Sequence, residues 1–165
     1  MADEEFSAFY AATYQRLLGQ LVLLCGDRAE AEDALQEAFA RAAVRWRRLR
    51  SYQVPEAWVR RVALNLTRMA ARRLRRRTAA LLRLGSAPAA AELSAETVDL
   101  LVALRALPVA QRQVLVLHHL VGLPVAEVAR ELRLPVGTVK TRLARGRRAL
   151  ARRLALDPEE ASSHG

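Results

Sequence analysis

Phe6, Tyr10, Tyr14, Leu17, Leu21 and Leu24 recur at steps of three and four residues, the period of one helix face. Nowhere does the chain offer the alternative, a run of β-branched residues alternating with polar ones. The expected fold is therefore all-α. Gly26 stops the first helix, and Asp27 with Glu30 three residues later resembles a capping box for a second. The Leu35, Phe39, Ala42, Trp46 stripe carries that second helix to about Trp46. An Arg-rich loop containing Ser51, Tyr52 and Gln53 leads to Pro55, which suits the first turn of a third helix running to roughly Arg77. Its apolar face is expected at Trp58, Val62, Leu66 and Met69.

From Thr78 to Thr97 the chain is rich in Ala, with Gly85, Ser86 and Pro88 in the middle, and loses clear periodicity. This is expected as a flexible linker. Four short helices should follow: Val98 to Leu107, Val109 to Val121, Pro124 to Leu132, and Pro135 to about Leu154. The expected organisation is two small helical domains, 1–77 and 98–155, joined by a linker, 78–97, with a tail, 156–165.

The 165 residues carry a net charge of +10, and its distribution says more than its size. Residues 1–40 hold two Arg and eight acids, whereas residues 41–77 hold thirteen Arg and one acid. Residues 105–153 carry eleven bases and two acids. Two basic blocks point to two polyanion-binding surfaces, and the acidic block is free for a different partner. The longest stretches without formal charge, Leu17 to Gly26 and Val114 to Ala126, fall short of the roughly 20 residues that span a bilayer. No membrane insertion is expected, and an acidic amino terminus in place of a basic signal favours a cytoplasmic protein.

Three constellations carry candidate function. In the segment from Leu123 to Leu143 two helices join through a very short turn, with Val128, Leu132, Val139 and Leu143 as the seam. That is helix-turn-helix patterning. The second helix then presents Thr138, Thr141, Arg142, Arg145 and Arg148, whose hydroxyl and guanidinium groups can reach phosphates and base edges from a major groove. An ordinary helical hairpin with a solvated Arg face would share the spacing, but the charge of this block favours DNA. On the third helix Arg61, Asn65, Arg68, Arg72 and Arg75 form one face, and Tyr52 or Trp46 could stack on an unpaired base. A solvated Arg stripe reads equally well there. On the second helix Asp33, Gln36 and Glu37 lie opposite Leu35 and Phe39, as a protein-docking surface or a merely soluble face.

Nothing points to an enzyme. No glycine-rich phosphate loop, Ser/His/Asp set or Cys cluster is present, and no cofactor is implied. Adjacent His118 and His119 point about 100° apart on a helix and are read as packing and surface residues. Cys25, beside Leu23 and Leu24, is expected as a buried structural thiol.

Taken together, the segments Asp27-Arg-Ala-Glu-Ala-Glu-Asp-Ala-Leu-Gln-Glu-Ala-Phe39, Ala57-Trp-Val-Arg-Arg-Val-Ala-Leu-Asn-Leu66, Leu107-Pro-Val-Ala-Gln-Arg-Gln-Val-Leu-Val-Leu117 and Val136-Gly-Thr-Val-Lys-Thr-Arg-Leu143 resemble, in that order, a bacterial RNA polymerase sigma factor. The resemblance is to the two-domain extracytoplasmic-function (ECF) group, which keeps sigma regions 2 and 4, and covers about residues 5–154. It implies a promoter-specificity subunit that binds core polymerase and assists DNA melting. Its partners would be the β′ clamp helices, through Asp33, Gln36 and Glu37, the β flap, and promoter DNA. The loop from Arg48 to Gln53, with Tyr52, Arg61, Asn65, Arg68 and Arg72, would capture and open the minus-10 element. Lys140, Thr141 and Arg145 match positions that read the minus-35 element. The resemblance leaves room for an anti-sigma factor as a further partner. A stand-alone helix-turn-helix regulator is the alternative, and a basic RNA-binding protein a more distant one. Two positions depart from the pattern: residues 67–71 lack the acid often found after the Asn, and Arg133 stands where such turns commonly place Gly.

Overall fold

The computed structural model describes residues 2–77 and 95–160, with side chains 75–77, 96 and 156–160 left out. The expected linker lies outside the described residues except at 95–97, which are helical. No strand occurs among the described residues.

Helix α1 (Ala2–Cys25) buries Leu17, Leu18, Leu21, Val22 and Leu24, and stops where Gly26 adopts a φ of 86°. Gly26 then returns its N–H to the Val22 carbonyl at 2.8 Å, so the last turn is closed without strain. Asp27 caps α2 (Arg28–Val44) by accepting the Glu30 N–H at 2.9 Å. That bond satisfies one of the four N–H groups a helix start leaves open and contributes about 1 kcal/mol. The inner face of α2 is built largely from alanine, with Ala31, Ala34, Ala38 and Ala42 buried around Leu35 and Phe39. Small side chains let α1 and α4 (Pro55–Arg77) approach this helix closely.

A one-turn helix, α3 (Trp46–Leu49), buries both its ends. The Trp46 ring stacks on Phe9 with centroids 4.9 Å apart and meets Phe6 edge-on at 5.4 Å. Phe39 completes the cluster from α2, so aromatic packing ties the start of α1 to the entry of the following loop. The core face of α4 is Val59, Arg60, Ala63, Leu64 and Thr67, not the expected Trp58, Val62, Leu66 and Met69. Trp58, Val62 and Leu66 are half-buried and Met69 is exposed. The reason is that α2 and α1 both pack on α4, which centres its buried stripe between their two axes.

The chain divides into two compact units, Met1–Pro88 and Ala89–Gly165. In the second, α5 (Ala95–Arg105) and α6 (Val109–Leu115) pack against α8 (Val136–Glu160), and α7 (Val125–Leu132) crosses before it. The segment expected as one helix from Val109 to Val121 instead changes to a π-helical turn, Val116–Leu120, before Gly122 takes a φ of 82°. His118 stabilises that exit by donating Nδ1–H to the Leu123 carbonyl at 2.7 Å. Helix α8 runs to Glu160, six residues beyond the expected end.

Candidate nucleic-acid interface

The seam of the helix-turn-helix is as expected: Val128, Leu132, Val139 and Leu143 are all buried. The turn between α7 and α8 closes with Leu134 N–H on the Ala129 carbonyl at 2.9 Å and Arg133 N–H on the Arg130 carbonyl at 3.3 Å. This pairing requires a left-handed residue, and Arg133 supplies it with φ 53° and ψ 49°, at a cost of about 1 kcal/mol relative to glycine. Farther along, Gly146 faces α6, where a Cβ would lie 3.0 Å from Leu115 Cδ1 and 3.4 Å from Gln111 Cβ.

With that side of α8 committed to packing, the opposite side is left to solvent. Thr141, Arg145 and Arg148 lie at steps of four and three and are exposed, as is Lys140 on the flank. Thr138 and Arg142 are half-buried at the edge of the same face. Thr141 donates its hydroxyl to the Gly137 carbonyl at 3.0 Å, which fixes the rotamer and turns the oxygen lone pairs outward. Arg147 differs from these. Its Nε donates to His119 Nε2 at 3.2 Å, across to the π-helical turn. Burial first, then the neighbouring His118 and Arg147, push the His119 imidazole below its ordinary pKa, which keeps it neutral and able to accept this bond.

In the first unit, Arg61 and Arg72 are exposed on α4, with Asn65 and Arg68 half-buried between them, all on a face turned from the core. The side chain of Arg75 lies outside the described residues. Tyr52 is exposed in the loop that precedes α4. Trp46, offered with Tyr52 as a base-stacking ring, is buried in the aromatic cluster and cannot reach a base without unpacking it. Arg50, at the loop's start, is held by Glu5 of α1 at 3.2 Å, and Arg16 of α1 pairs with Glu56 at the start of α4. These two bridges brace the loop from both sides, although each is solvent-exposed and worth no more than about 1 kcal/mol.

The acidic stripe separates into two directions. Asp33 and Glu37 join Asp27 and Glu30 along a groove of about 560 Å³ floored by Leu66, Thr67, Ala70 and Leu74 of α4. Glu37 also accepts Arg41 Nε at 2.7 Å. Gln36, though exposed, does not line this groove and is turned toward Tyr14. The Tyr14 hydroxyl is pushed above its ordinary pKa, chiefly by burial and then by Tyr10 and Glu32.

Several charged residues escaped sequence reasoning because they are buried. Arg60, Arg112 and Glu131 are each 5% exposed or less. Arg112 donates Nη1–H to the Arg105 carbonyl at 3.1 Å, and so joins α6 to the end of α5. A helical wheel does put Arg60 beside Val59 and Ala63, but its position next to Arg61 hid it within the basic block. Cys25 is half-buried, not fully buried as expected of it. Burial, only partly offset by its hydrogen bond to the Asp27 carbonyl, pushes it up to about 11. No cluster of three or more potential metal ligands occurs among the described residues, and none of their helices is long and apolar enough to cross a membrane.

Comparison with known proteins bears directly on these two surfaces. Residues 9–77 match the family model of sigma-70 region 2, and residues 97–150 that of sigma-70 region 4. The chain is 34% identical over 151 residues to the RNA polymerase sigma-E factor of Streptomyces coelicolor, covering 90% of this chain and 83% of that protein. It is 31% identical to the ECF RNA polymerase sigma factor SigW of Bacillus subtilis, covering 92% and 90%. Among solved structures, the sigma factor RpoE from Bartonella quintana, in a co-crystal with the anti-sigma factor NepR, shares the fold with a TM-score of 0.68 at 21% identity, covering 93% of this chain and 99% of that one. Both conserved regions are present in order, the relatives extend along nearly the whole length, and a stand-alone regulator accounts for neither region 2 nor its acidic helix. The chain belongs to the ECF group of RNA polymerase sigma factors, non-enzymatic initiation subunits that direct the polymerase core to promoter DNA.

Proposed function

We infer that the work of this sigma factor is divided among three surfaces. The Asp33 and Glu37 rim of α2, with Gln36 beside it, docks on the β′ clamp helices of core polymerase. The 48–53 loop, with Tyr52, and the α4 face of Arg61, Asn65, Arg68 and Arg72 capture the minus-10 element and hold bases flipped from the duplex. The α8 face of Thr138, Lys140, Thr141, Arg142, Arg145 and Arg148 reads the minus-35 element, with the second domain, 98–155, seated against the β flap. The 78–97 linker joins it to the first domain, 1–77, and threads toward the RNA exit path. The observation that supports this reading is that none of these fourteen side chains is buried, although each lies on a helix or loop whose other face is committed to the core. Side chains that are not enclosed in the core are the ones a surface can offer to partners.

The protein is proposed to act in the cytoplasm, associated with the nucleoid when in holoenzyme. An anti-sigma factor is proposed as a further partner, in keeping with the NepR complex of the Bartonella relative. The docking assignment is tested with Asp33→Ala combined with Glu37→Ala. Surface substitutions of this kind change stability by no more than about 0.5 kcal/mol each. Affinity for core polymerase should fall at least about tenfold, equivalent to 1.4 kcal/mol, with circular dichroism unchanged. Full affinity in a native-like double variant would place the docking surface elsewhere.

A further inference from the structure

Three described residues adopt a positive φ: Gly26, Gly122 and Arg133. At the first two the chain uses the residue that pays nothing for the left-handed region. At the third, in the turn that leads into α8, it keeps a long cationic side chain instead. Nothing inside the unit accounts for the choice. Arg133 is exposed, and its guanidinium has no hydrogen bond or ion pair among the described residues. Arg130 and Arg147 are not in the same position, since Arg130 pairs with Glu127 and Arg147 rests on His119.

The backbone around Arg133 also fixes where the side chain starts. Leu132 is buried and Leu134 half-buried, and the two turn hydrogen bonds on the Ala129 and Arg130 carbonyls hold the residue between them. Arg133 precedes Val136, the first residue of α8, by three positions, so their Cα atoms are at most about 11 Å apart. A major groove is about 12 Å wide, and its walls are phosphate strands. A helix entering that groove by its amino-terminal end brings the residue just before it to one of those walls. We propose that Arg133 is a positioning residue for minus-35 binding: its guanidinium fork grips a phosphate at the groove edge and sets the depth and register at which α8 enters. The planar fork can donate two parallel hydrogen bonds to phosphate oxygens, and because its donors are held in one plane less freedom is lost per bond formed than with a lysine. This rests on the reading of α8 as the groove helix.

The test uses holoenzyme assembled from core polymerase and the full chain, titrated on labelled promoter duplexes over a range of KCl concentrations. Arg133→Gly removes the cation at a φ that glycine adopts freely, and Arg133→Asn removes it while keeping a residue that tolerates the left-handed region. Both should weaken binding about fivefold to every minus-35 variant alike and lower the logarithmic salt slope by about 0.9, with no loss of melting temperature in the free chain. Arg133→Lys should keep the slope, and a duplex carrying one neutral methylphosphonate at the contacted position should abolish the difference between wild type and Arg133→Gly. Wild-type affinity and slope in both the Gly and Asn variants would overturn the proposal. Lys140→Ala and Thr141→Ala run in parallel separate it from the underlying reading. If they leave sequence preference unchanged while Arg133→Gly still lowers the slope, base reading by α8 fails and the phosphate contact stands; the reverse pattern removes the contact alone.

Discussion

Asn65 is half-buried on α4, between exposed Arg61 and half-buried Arg68, on the face proposed to capture the minus-10 element. A single-strand contact of the kind proposed there gains its binding energy only after a base has left the stack, at roughly 1 to 3 kcal/mol per stacked base. Asn65→Ala should therefore depress transcription from duplex promoters more than from templates already opened by mismatches across the minus-10 element. Run-off transcription on the two template types measures this, and equal loss on both would assign Asn65 to holding the open strand rather than to opening it. At this scale the sequence was most legible where polarity and period agree. Thr141, Arg145 and Arg148 are exposed because Val139 and Leu143 opposite them are apolar. It was least legible where charge and burial disagree, as at Arg60, Arg112 and Glu131, since formal charge hides a role in the core.

For the elements, helix existence followed from apolar spacing, while their ends and rotation depended on neighbours. The Asp27 cap and the Gly26 stop are local chemistry, and both were readable. The core stripe of α4 was misplaced because a helix touching two partners buries the residues between them, a fact of packing that single-helix periodicity does not contain. The π-helical turn at Val116–Leu120 was invisible for a similar reason, being an adjustment of α6 to the exit at Gly122 rather than a sequence motif. Gly146 gives this scale its prediction. A Cβ there already meets Leu115 at 3.0 Å, so the branched side chain of Gly146→Val crowds Leu115 and Gln111 of α6. Overpacking of this sort costs about 1 to 3 kcal/mol. Thermal denaturation should show a lower melting temperature, and minus-35 binding should weaken even though no DNA-facing residue has changed; an unchanged melting temperature would mean that Leu115 swings clear.

Across the whole molecule, the opposed charges have a structural counterpart. The acidic rim of α2 and the basic face of α4 belong to the same unit but project from different helices, and the second basic face stands on α8 in the other unit. Asp33 and Glu37 share no partner with Arg133. Substitutions at sites without shared partners combine within about 0.5 kcal/mol. Joining Asp33→Ala and Glu37→Ala with Arg133→Gly should thus lower promoter occupancy by the sum of the separate free-energy losses, as read from holoenzyme titrations at fixed salt. A larger or smaller loss would reveal that polymerase docking and upstream DNA contact are energetically linked.

The division of α8 into a packed side and a free side reaches beyond binding. Val139, Leu143 and Gly146 hold the helix in place, and Lys140, Thr141 and Arg145 take no part in that work. Mutations on the free side escape the stability threshold that removes most changes in a small domain. On the proposed reading of α8, new promoter preferences are therefore reachable by single steps through folded intermediates, and duplicated copies of such a gene can diverge in the sites they serve while continuing to share one polymerase.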